Sequence, residues 1–302
     1  MTDVLTAPAP TAVPEKSRAG GVWRVLASQT SVHSGAAVAT TLFPLAGAAG
    51  VVSLRLLIGS AVLVAVGRPR LRGYTTRQWI LVGLFGAVLA GMNLAFYVAI
   101  ARMPIGPVVT LEVLGPLTLS VVTARRRVAW LWALLALAGV ALLGGGGFDQ
   151  LDPLGVGCAL LAGAAWACYI MLSARAGATF PKRDGLTLAM LVAALLALPA
   201  GLLDAGAALA QPRVLALGAA VAVLSSVLPY TFELTALRRL PTSTFAVLMS
   251  LGPAIAALMG WVLLGQDLHP AQIAAIGFVV AASAGVVLWK DRGSATGAAA
   301  GS

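Results

Sequence analysis

Charged side chains are scarce in this chain. Only 10% of its 302 residues are Asp, Glu, Lys or Arg, whereas 60% are hydrophobic and the mean hydropathy is +0.95. A soluble domain carries about 25% charged residues, so this chain lacks the side chains needed to cover a surface that faces water. Ten-residue alternating segments, which would indicate a membrane β-barrel, are missing as well. The composition therefore predicts an all-α integral membrane protein.

Cysteine and histidine are also scarce, with two of each. Cys158 and Cys168 lie ten residues apart on one predicted helix, too far apart to pair with each other, and we interpret them as small packing residues. No His, Cys or Asp cluster has the spacing of a metal site. No Walker A motif is present, which excludes ATP as the direct energy source. We therefore expect no metal, no cofactor and no enzymatic activity.

Ten apolar segments make up most of the chain, each close to the roughly 20 residues that a helix needs to cross the hydrocarbon. They are residues 22–43, 50–67, 78–100, 106–123, 128–146, 154–173, 185–204, 213–236, 243–264 and 270–289. We predict ten transmembrane helices. Residues 1–21 and 290–302 contain no apolar core, and we expect a disordered N-terminal tail and a flexible C-terminal tail, both cytoplasmic.

The basic residues indicate the orientation. Of the 20 Lys and Arg residues, 17 fall in segments that are cytoplasmic if the N-terminus is inside, and only Arg102 and Arg213 fall in outer loops. This distribution follows the positive-inside rule and predicts that both termini are cytoplasmic. The net charge of +10 is thus explained by topology, and we expect no nucleic-acid partner.

The second half of the chain repeats part of the first. Shifting residues 99–116 by 137 positions onto residues 236–253 gives seven identities without a gap, among them Gly115-Pro116 on Gly252-Pro253. Five helices per half is an odd number, so the second repeat (154–289) is predicted to cross the membrane upside down relative to the first (22–146). Inverted repeats are typical of secondary transporters, whose substrate site lies near the midplane. Pro116 and Pro253 are expected to kink their helices.

Two opposite charges fall inside the predicted spans. Arg55 in the second helix and Glu112 in the fourth lie at similar depth, roughly 8–9 Å from the outer end at 1.5 Å per residue. Charges in a membrane are costly and usually paired, so we expect the two to interact directly or through water. They are either a fixed ion pair that orients two helices or a binding site for an amino-acid zwitterion. In the second case Arg55 engages the carboxylate, and Glu112 takes up the ammonium group or a proton.

Other polar and aromatic residues in the spans are further candidates for substrate binding or coupling. His33 is either a proton relay or a hydrogen-bonded interior histidine. Asn93 and Tyr97 share one helix face and either bind substrate or join helices. Trp166 and Tyr169 either line a cavity or pack in the bundle.

The eighth predicted helix supplies two more candidates, Tyr230 and Glu233. Glu233 lies near the cytoplasmic end of that helix and close to Arg238 and Arg239. It is therefore either a coupling residue or an interfacial ion-pair partner.

Four segments carry a resemblance to a known family. They are SVHSGAAVATTLFPLAGAAGVVSLRL (31–56), GMNLAFYVAI (91–100), LPYTFELTALRRLPTSTFAVLMSLGPAIAALMG (228–260) and LLGQDLHPAQIAAIG (263–277). The chain resembles the EamA-type members of the drug/metabolite transporter superfamily over nearly its whole length, and within them the threonine/homoserine exporter subfamily. That family often has Glu-Pro and Gly-Glu where this chain has Gly252-Pro253 and Gly265-Gln266. A coupling role for those carboxylates therefore does not transfer, while Glu112 remains.

The resemblance implies a secondary active transporter in the bacterial cell inner membrane that exports small amino acids such as threonine or homoserine. It implies proton antiport with alternating access, so the partners expected are a small-molecule substrate, protons and the lipid bilayer. The sequence leaves open the exact substrate, the coupling ion and the oligomeric state. One alternative is an exporter of another metabolite or drug; alternatives of another class are an intramembrane enzyme and a passive channel.

Overall fold

The computed structural model of the chain describes residues 15–124, 152–181, 184–229 and 251–282, with single residues or short runs at 131, 134–136, 138–139, 142, 232, 236, 248–249 and 284. In these residues the structure is helical and contains no strand. The helices are α1 (Glu15–Gly67), α2 (Thr76–Ile100), α3 (Ile105–Glu112), α4 (Leu114–Ala124), α5 (Pro153–Thr179), α6 (Asp184–Ala205), α7 (Pro212–Ala222), α8 (Gly252–Leu264) and α9 (Pro270–Ala282). A 3-10 turn (Gly206–Ala210) follows α6, and a π-turn (Val223–Val227) continues α7.

Four spans in the described residues are long and apolar enough to cross a membrane: Gly20–Gly67, Thr76–Ile100, Pro153–Thr179 and Asp184–Ala210. Large apolar side chains cover the outside of the helices; Leu203, for example, is 90% exposed. A surface of this kind suits lipid rather than water. The all-α prediction is confirmed for the described residues. The count of ten helices and their inverted arrangement extend into residues outside them and stay a prediction.

Helix α1 joins the first two predicted spans through a break at Gly47. This residue has φ 61° and ψ 170°, a conformation that glycine adopts at little cost. The break divides α1 into arm α1a (residues 15–46) and arm α1b (residues 48–67). It also exposes the backbone N–H of Ala49, which donates to Oδ2 of Asp204 at 2.9 Å.

Helix α1 begins at Glu15, seven residues before the first predicted span. Glu15, Lys16, Arg18 and Ala19 are good helix formers. The predicted boundaries of the two tails and of the two repeats stay a prediction.

Both prolines predicted to kink helices lie next to a helix break. Pro116 has no N–H to donate to the carbonyl of Glu112, and the helix is interrupted at Val113, between α3 and α4. Pro253 likewise cannot donate to the carbonyl of Met249, and α8 begins only at Gly252. Residues 112 and 249 are equivalent in the repeat, so each copy frees one backbone carbonyl at the same position.

Helix α5 approaches the α3–α4 break through Gly163. A Cβ atom at Gly163 would lie 2.5 Å from the carbonyl oxygen of Glu112, and one at Gly115 would collide with the carbonyl of Gly163. Small residues allow such close backbone approach in membrane proteins. The position of Glu112 is therefore fixed by backbone contacts on α5.

Helix α6 bonds the start of α1b and the segment that follows its end. At one end Asp204 accepts the Ala49 N–H, as described above. At the other end Oδ2 of Asp184 accepts the backbone N–H of Arg70 at 3.1 Å and the hydroxyl of Tyr74 at 2.7 Å. Between the two ends, Oγ of Ser53 donates to the carbonyl of Ala197 at 2.8 Å.

Candidate functional site

A cavity of about 240 Å³ lies between the middle parts of α1, α2, α5 and α6, the α3–α4 break and the π-turn. Small-molecule sites usually measure about 300–1,000 Å³, so this volume suits a ligand of few heavy atoms. The polar and aromatic residues that line it are Gln29, His33, Arg55, Asn93, Phe96, Glu112, Trp166, Tyr169, Ser225 and Ser226. Six of the nine residues predicted for the site are in this lining.

Arg55 is held by two neighbours and keeps unused donors. Its Nη1 donates to the hydroxyl of Tyr97 and its Nη2 to the carbonyl of Ser225, both at 3.3 Å. Its Cζ lies 5.6 Å from the centre of the Tyr97 ring, within the range of a cation–π contact. Nε is buried and has no hydrogen-bond partner in the described residues. Guanidinium has five N–H donors, so these contacts fix its plane without exhausting it.

The carbonyl that binds Arg55 is available because of a third proline. Pro229 has no N–H, so it cannot bond the carbonyl of Ser225 four residues earlier. The helix instead forms a π-turn, in which Leu228 N–H bonds the Val223 carbonyl. The neighbouring carbonyl of Leu224 accepts Oγ of Ser31 at 2.7 Å. Irregular turns of this type occur frequently at functional sites.

Glu112 lies at the last residue of α3 and lines the same cavity as Arg55. The two charges do not form a direct ion pair: between described side chains the salt bridge present is that of Arg102 with Asp152, at 3.0 Å. The Glu112 carboxylate has no hydrogen-bond partner in the described part of the chain. The expectation that the two charges interact directly or through water therefore stays a prediction for the water-mediated case, and the lack of a direct bond leaves space between two opposite charges.

Gln29 and His33 line the cavity one turn apart on α1a. Nε2 of Gln29 donates to the carbonyl of Met249 at 3.0 Å, which is the carbonyl that Pro253 leaves free. Nδ1 of His33 is buried and has no hydrogen-bond partner in the described residues. A Cβ atom at Gly252 would lie 3.3 Å from Nε2 of Gln29 and 3.7 Å from Nε2 of His33.

Four other predicted site residues lie on α2 and α5, either on the cavity wall or beneath Arg55. Nδ2 of Asn93 donates to the carbonyl of Leu89 on its own helix at 2.8 Å, and Tyr97 is fully buried beneath Arg55. Trp166 and Tyr169 lie on the cavity wall of α5, and the Tyr169 ring also packs on Phe85, with ring centres 5.4 Å apart.

Two predicted site residues are not described. Tyr230 and Glu233 lie outside the residues that the structure describes, so their proposed roles stay predictions. The structure adds Gln29 and Ser225, which the sequence did not single out as site residues. For Ser225 the sequence did contain a signal: Pro229, four residues later, cannot donate to its carbonyl and so leaves that carbonyl free for another partner.

Comparison with known proteins identifies the class. The EamA-like transporter family matches residues 153–288. The chain is 42% identical to the threonine/homoserine exporter RhtA of Escherichia coli K12, over 87% of this chain and 90% of that protein. It is 41% identical to RhtA of Salmonella typhimurium LT2, over 93% and 97% of the two chains. It is 30% identical to the uncharacterized transporter YwfM of Bacillus subtilis, over 73% and 77%.

The fold has also been observed elsewhere. A crystal structure of a protein 22% identical to this chain superposes with a TM-score of 0.61, covering 92% of this chain and 98% of the other. The fold and the relatives together define a multi-pass membrane transporter and not an enzyme. The chain belongs to the EamA-like transporter family, as its sequence predicted.

Proposed function

We propose that this protein is a secondary active transporter that exports small amino acids of the threonine and homoserine type across the bacterial inner membrane in exchange for protons. The supporting observation is that Arg55 and Glu112 line one small cavity without forming an ion pair. An unpaired charge is expensive inside a membrane. A zwitterionic amino acid would supply one partner for each of the two charges.

Arg55 is suited to the substrate carboxylate. Its guanidinium plane is oriented by Tyr97 and by the Ser225 carbonyl, and a planar fork forms two parallel bonds with a carboxylate. Because the contacts that orient the group come from α2 and the π-turn, they persist when the cavity is empty. Such preorganisation lowers the cost of ordering the site on binding.

Glu112 is suited to bind either the substrate ammonium group or a proton, but not both at once. An ionised carboxylate binds the substrate ammonium, whereas a protonated one has lost the charge that attracts it. If Glu112 binds either the substrate or a proton, each transport cycle exports one substrate molecule and returns one proton. The proton gradient then drives export. Because Pro116 has no N–H, the carbonyl of Glu112 also lacks its helical partner, and the carboxylate lies next to the interruption between α3 and α4.

Alternating access would follow from the inverted repeat. Two lines of evidence support it. The helix breaks near Pro116 and Pro253 fall at equivalent positions, and the family matches residues 153–288, nearly the predicted second repeat. Rocking one five-helix half against the other, with both termini cytoplasmic, would expose the cavity to each side in turn.

The test uses inverted membrane vesicles loaded with an acidic interior, in which export appears as uptake. We expect labelled threonine or homoserine to accumulate, and a protonophore to abolish the accumulation. Glu112→Gln keeps the size of the side chain but cannot ionise, so we expect gradient-driven accumulation to be lost. Asp267→Asn, which removes an exposed carboxylate that is not part of the cavity lining, is the matched control and should accumulate substrate normally.

The outcomes separate the parts of the proposal. Accumulation that survives in Glu112→Gln would show that Glu112 does not couple protons to export. Accumulation that is insensitive to the protonophore would contradict proton antiport. Absence of uptake of both amino acids by the native protein would contradict the assignment of substrate.

A further inference from the structure

His33 is a buried polar side chain without a hydrogen-bond partner. It is 6% exposed, its Nδ1 is fully buried and unpaired, and neither ring nitrogen forms a hydrogen bond in the described residues. A buried polar group without a partner is costly, and native structures rarely leave one without a reason. Because His33 lines the cavity, a ligand in the cavity is a natural partner.

The neighbours of His33 leave its Nε2 accessible from the cavity. Gln29, one turn away, uses its amide nitrogen to bond the Met249 carbonyl and is therefore engaged elsewhere. Gly252 faces the ring but has no side chain: a Cβ there would lie 3.7 Å from Nε2. The space in front of the imidazole is thus bounded by glycine and by Cγ1 of Val109, which lies 4.0 Å from the same Cβ position. None of these neighbours competes for the imidazole.

The chemistry of this position matches a hydroxyl group. A neutral imidazole offers one donor and one acceptor, and a hydroxyl can donate and accept. Arg55 and Glu112 account for the carboxylate and ammonium groups that all amino acids share, so they cannot distinguish one side chain from another. Three buried polar atoms of the cavity lining have no hydrogen-bond partner in the described residues: Nε of Arg55, Oγ of Ser225 and Nδ1 of His33. Arg55 is assigned to the substrate carboxylate, and Oγ of Ser225 lies against Gly35, which leaves the imidazole of His33 for the side chain of the substrate.

We propose that His33 binds the side-chain hydroxyl of the substrate and so makes the transporter selective for hydroxyl amino acids over aliphatic ones of the same size. This inference rests on the proposed function. Threonine and homoserine are isomers that differ only in the carbon bearing the hydroxyl, and removal of the hydroxyl from either gives the same compound, 2-aminobutyrate. A site that hydrogen-bonds a hydroxyl discriminates strongly against the analogue that lacks it, because its polar group is then left unpaired.

The experiment is a competition among three substrates. Inverted vesicles receive threonine, homoserine and 2-aminobutyrate at equal concentration, and the amount of each inside is measured by mass spectrometry. The ratio of uptake rates reports relative specificity and does not depend on how much protein is folded. For the native protein we expect each hydroxyl amino acid to enter at least tenfold faster than 2-aminobutyrate.

Three variants locate the origin of this ratio. His33→Phe removes both nitrogens and should reduce the ratio to threefold or less. His33→Gln places an amide nitrogen near the position of Nε2 and should restore most of it. Ser34→Ala removes the adjacent hydroxyl, which bonds Sδ of Met259 at 3.3 Å outside the cavity lining, and should leave the ratio unchanged.

A change on the facing helix provides a test that leaves His33 intact. Gly252→Ala places a methyl group in front of Nε2, and we expect the ratio to fall by at least threefold. This variant decides the matter if neither His33 variant reaches the membrane.

Each outcome has one meaning. A native ratio near one, or a ratio that His33→Phe and Gly252→Ala both leave unchanged, overturns the role of His33 while threonine export stands. Equal loss of all three substrates in His33→Phe, with no change in ratio, would assign His33 to structure or proton relay instead. Failure of the native protein to take up threonine and homoserine overturns the proposed function and this inference together.

Discussion

The close contact between α5 and the α3–α4 break can be tested by adding a single methyl group. In Gly163→Ala the new Cβ would lie 2.5 Å from the Glu112 carbonyl oxygen, 3.1 Å from its carbonyl carbon and 3.2 Å from its Cα. All three atoms belong to the backbone and cannot rotate away. Ordinary contact begins at 3.4 Å, so the two helices must separate by several tenths of an ångström.

The same helix provides a matched control. Gly157 has no atom within 4 Å of its Cβ position, so Gly157→Ala adds the same methyl group without a collision. Replacing glycine by alanine inside a helix stabilises it by up to about 1 kcal/mol, and both variants share this gain. Overpacking costs about 1–3 kcal/mol and applies to Gly163→Ala alone. The difference between the variants therefore isolates the cost of the contact.

The assay is thermal unfolding of both variants in the same detergent. We expect Gly163→Ala to melt several degrees below Gly157→Ala and to transport threonine more slowly, because the shift moves Glu112 relative to Arg55. Equal melting temperatures would refute the close approach of α5 to Glu112. A lower melting temperature with unchanged transport would show that the contact stabilises the fold but does not position the carboxylate.

Three further predictions concern single side chains. Burial and the bond to Asp184 raise the pKa of Tyr74, outside the spans, to about 12. Its contribution to stability is therefore complete below pH 10 and is lost as the pH rises towards 12. The component near pH 12 in the tyrosinate absorbance titration should be smaller by one tyrosine in Tyr74→Phe. The Gly155 N–H and then Arg102 lower the pKa of Asp152. The contribution of Asp152 to stability is therefore present above its ordinary pKa of 3.8 and is lost as the pH falls below that value. Asp152→Ala should remove this acid-dependent part of the melting temperature. Arg55→Lys loses the planar fork of the guanidinium group and with it about 1.5–3 kcal/mol for one charge-assisted hydrogen bond. The KM for threonine in vesicles should therefore rise by about tenfold to a hundredfold. An unchanged KM would contradict the role of Arg55.

The charged part of the site could be predicted from the sequence because charge is conspicuous in an apolar span. Arg55 and Glu112 stand out by composition, and their depths follow from helix geometry alone. Their lack of direct contact could not be predicted in this way. It depends on the rotation of α1b and α3, and on the attachment of Arg55 to Tyr97 and the Ser225 carbonyl, which are set by packing between distant segments.

The sequence was less informative about backbone groups. Pro116 and Pro253 predicted kinks, but not which side chains would meet the freed carbonyls. Gln29 bonds the one freed by Pro253, although 220 positions separate Gln29 from Met249. The predicted spans 22–43 and 50–67 placed a boundary near Gly47, but the sequence did not indicate that the chain stays helical on both sides of this one residue with a positive φ. Such features depend on tertiary contacts that hydrophobic periodicity does not encode.

The two aspartates of α6 have a mechanical consequence. They lie at opposite ends of the helix, where Asp204 bonds the start of α1b and Asp184 bonds the segment that follows its end. Helices α1b and α6 are therefore braced as one unit, here called the beam. Sliding by one helical turn would break the Asp184 and Asp204 contacts together, whereas a rotation about the long axis of the beam would keep both. Because α1b and α6 come from different predicted repeats, any movement of one repeat against the other must turn about the beam or break the contacts of both aspartates.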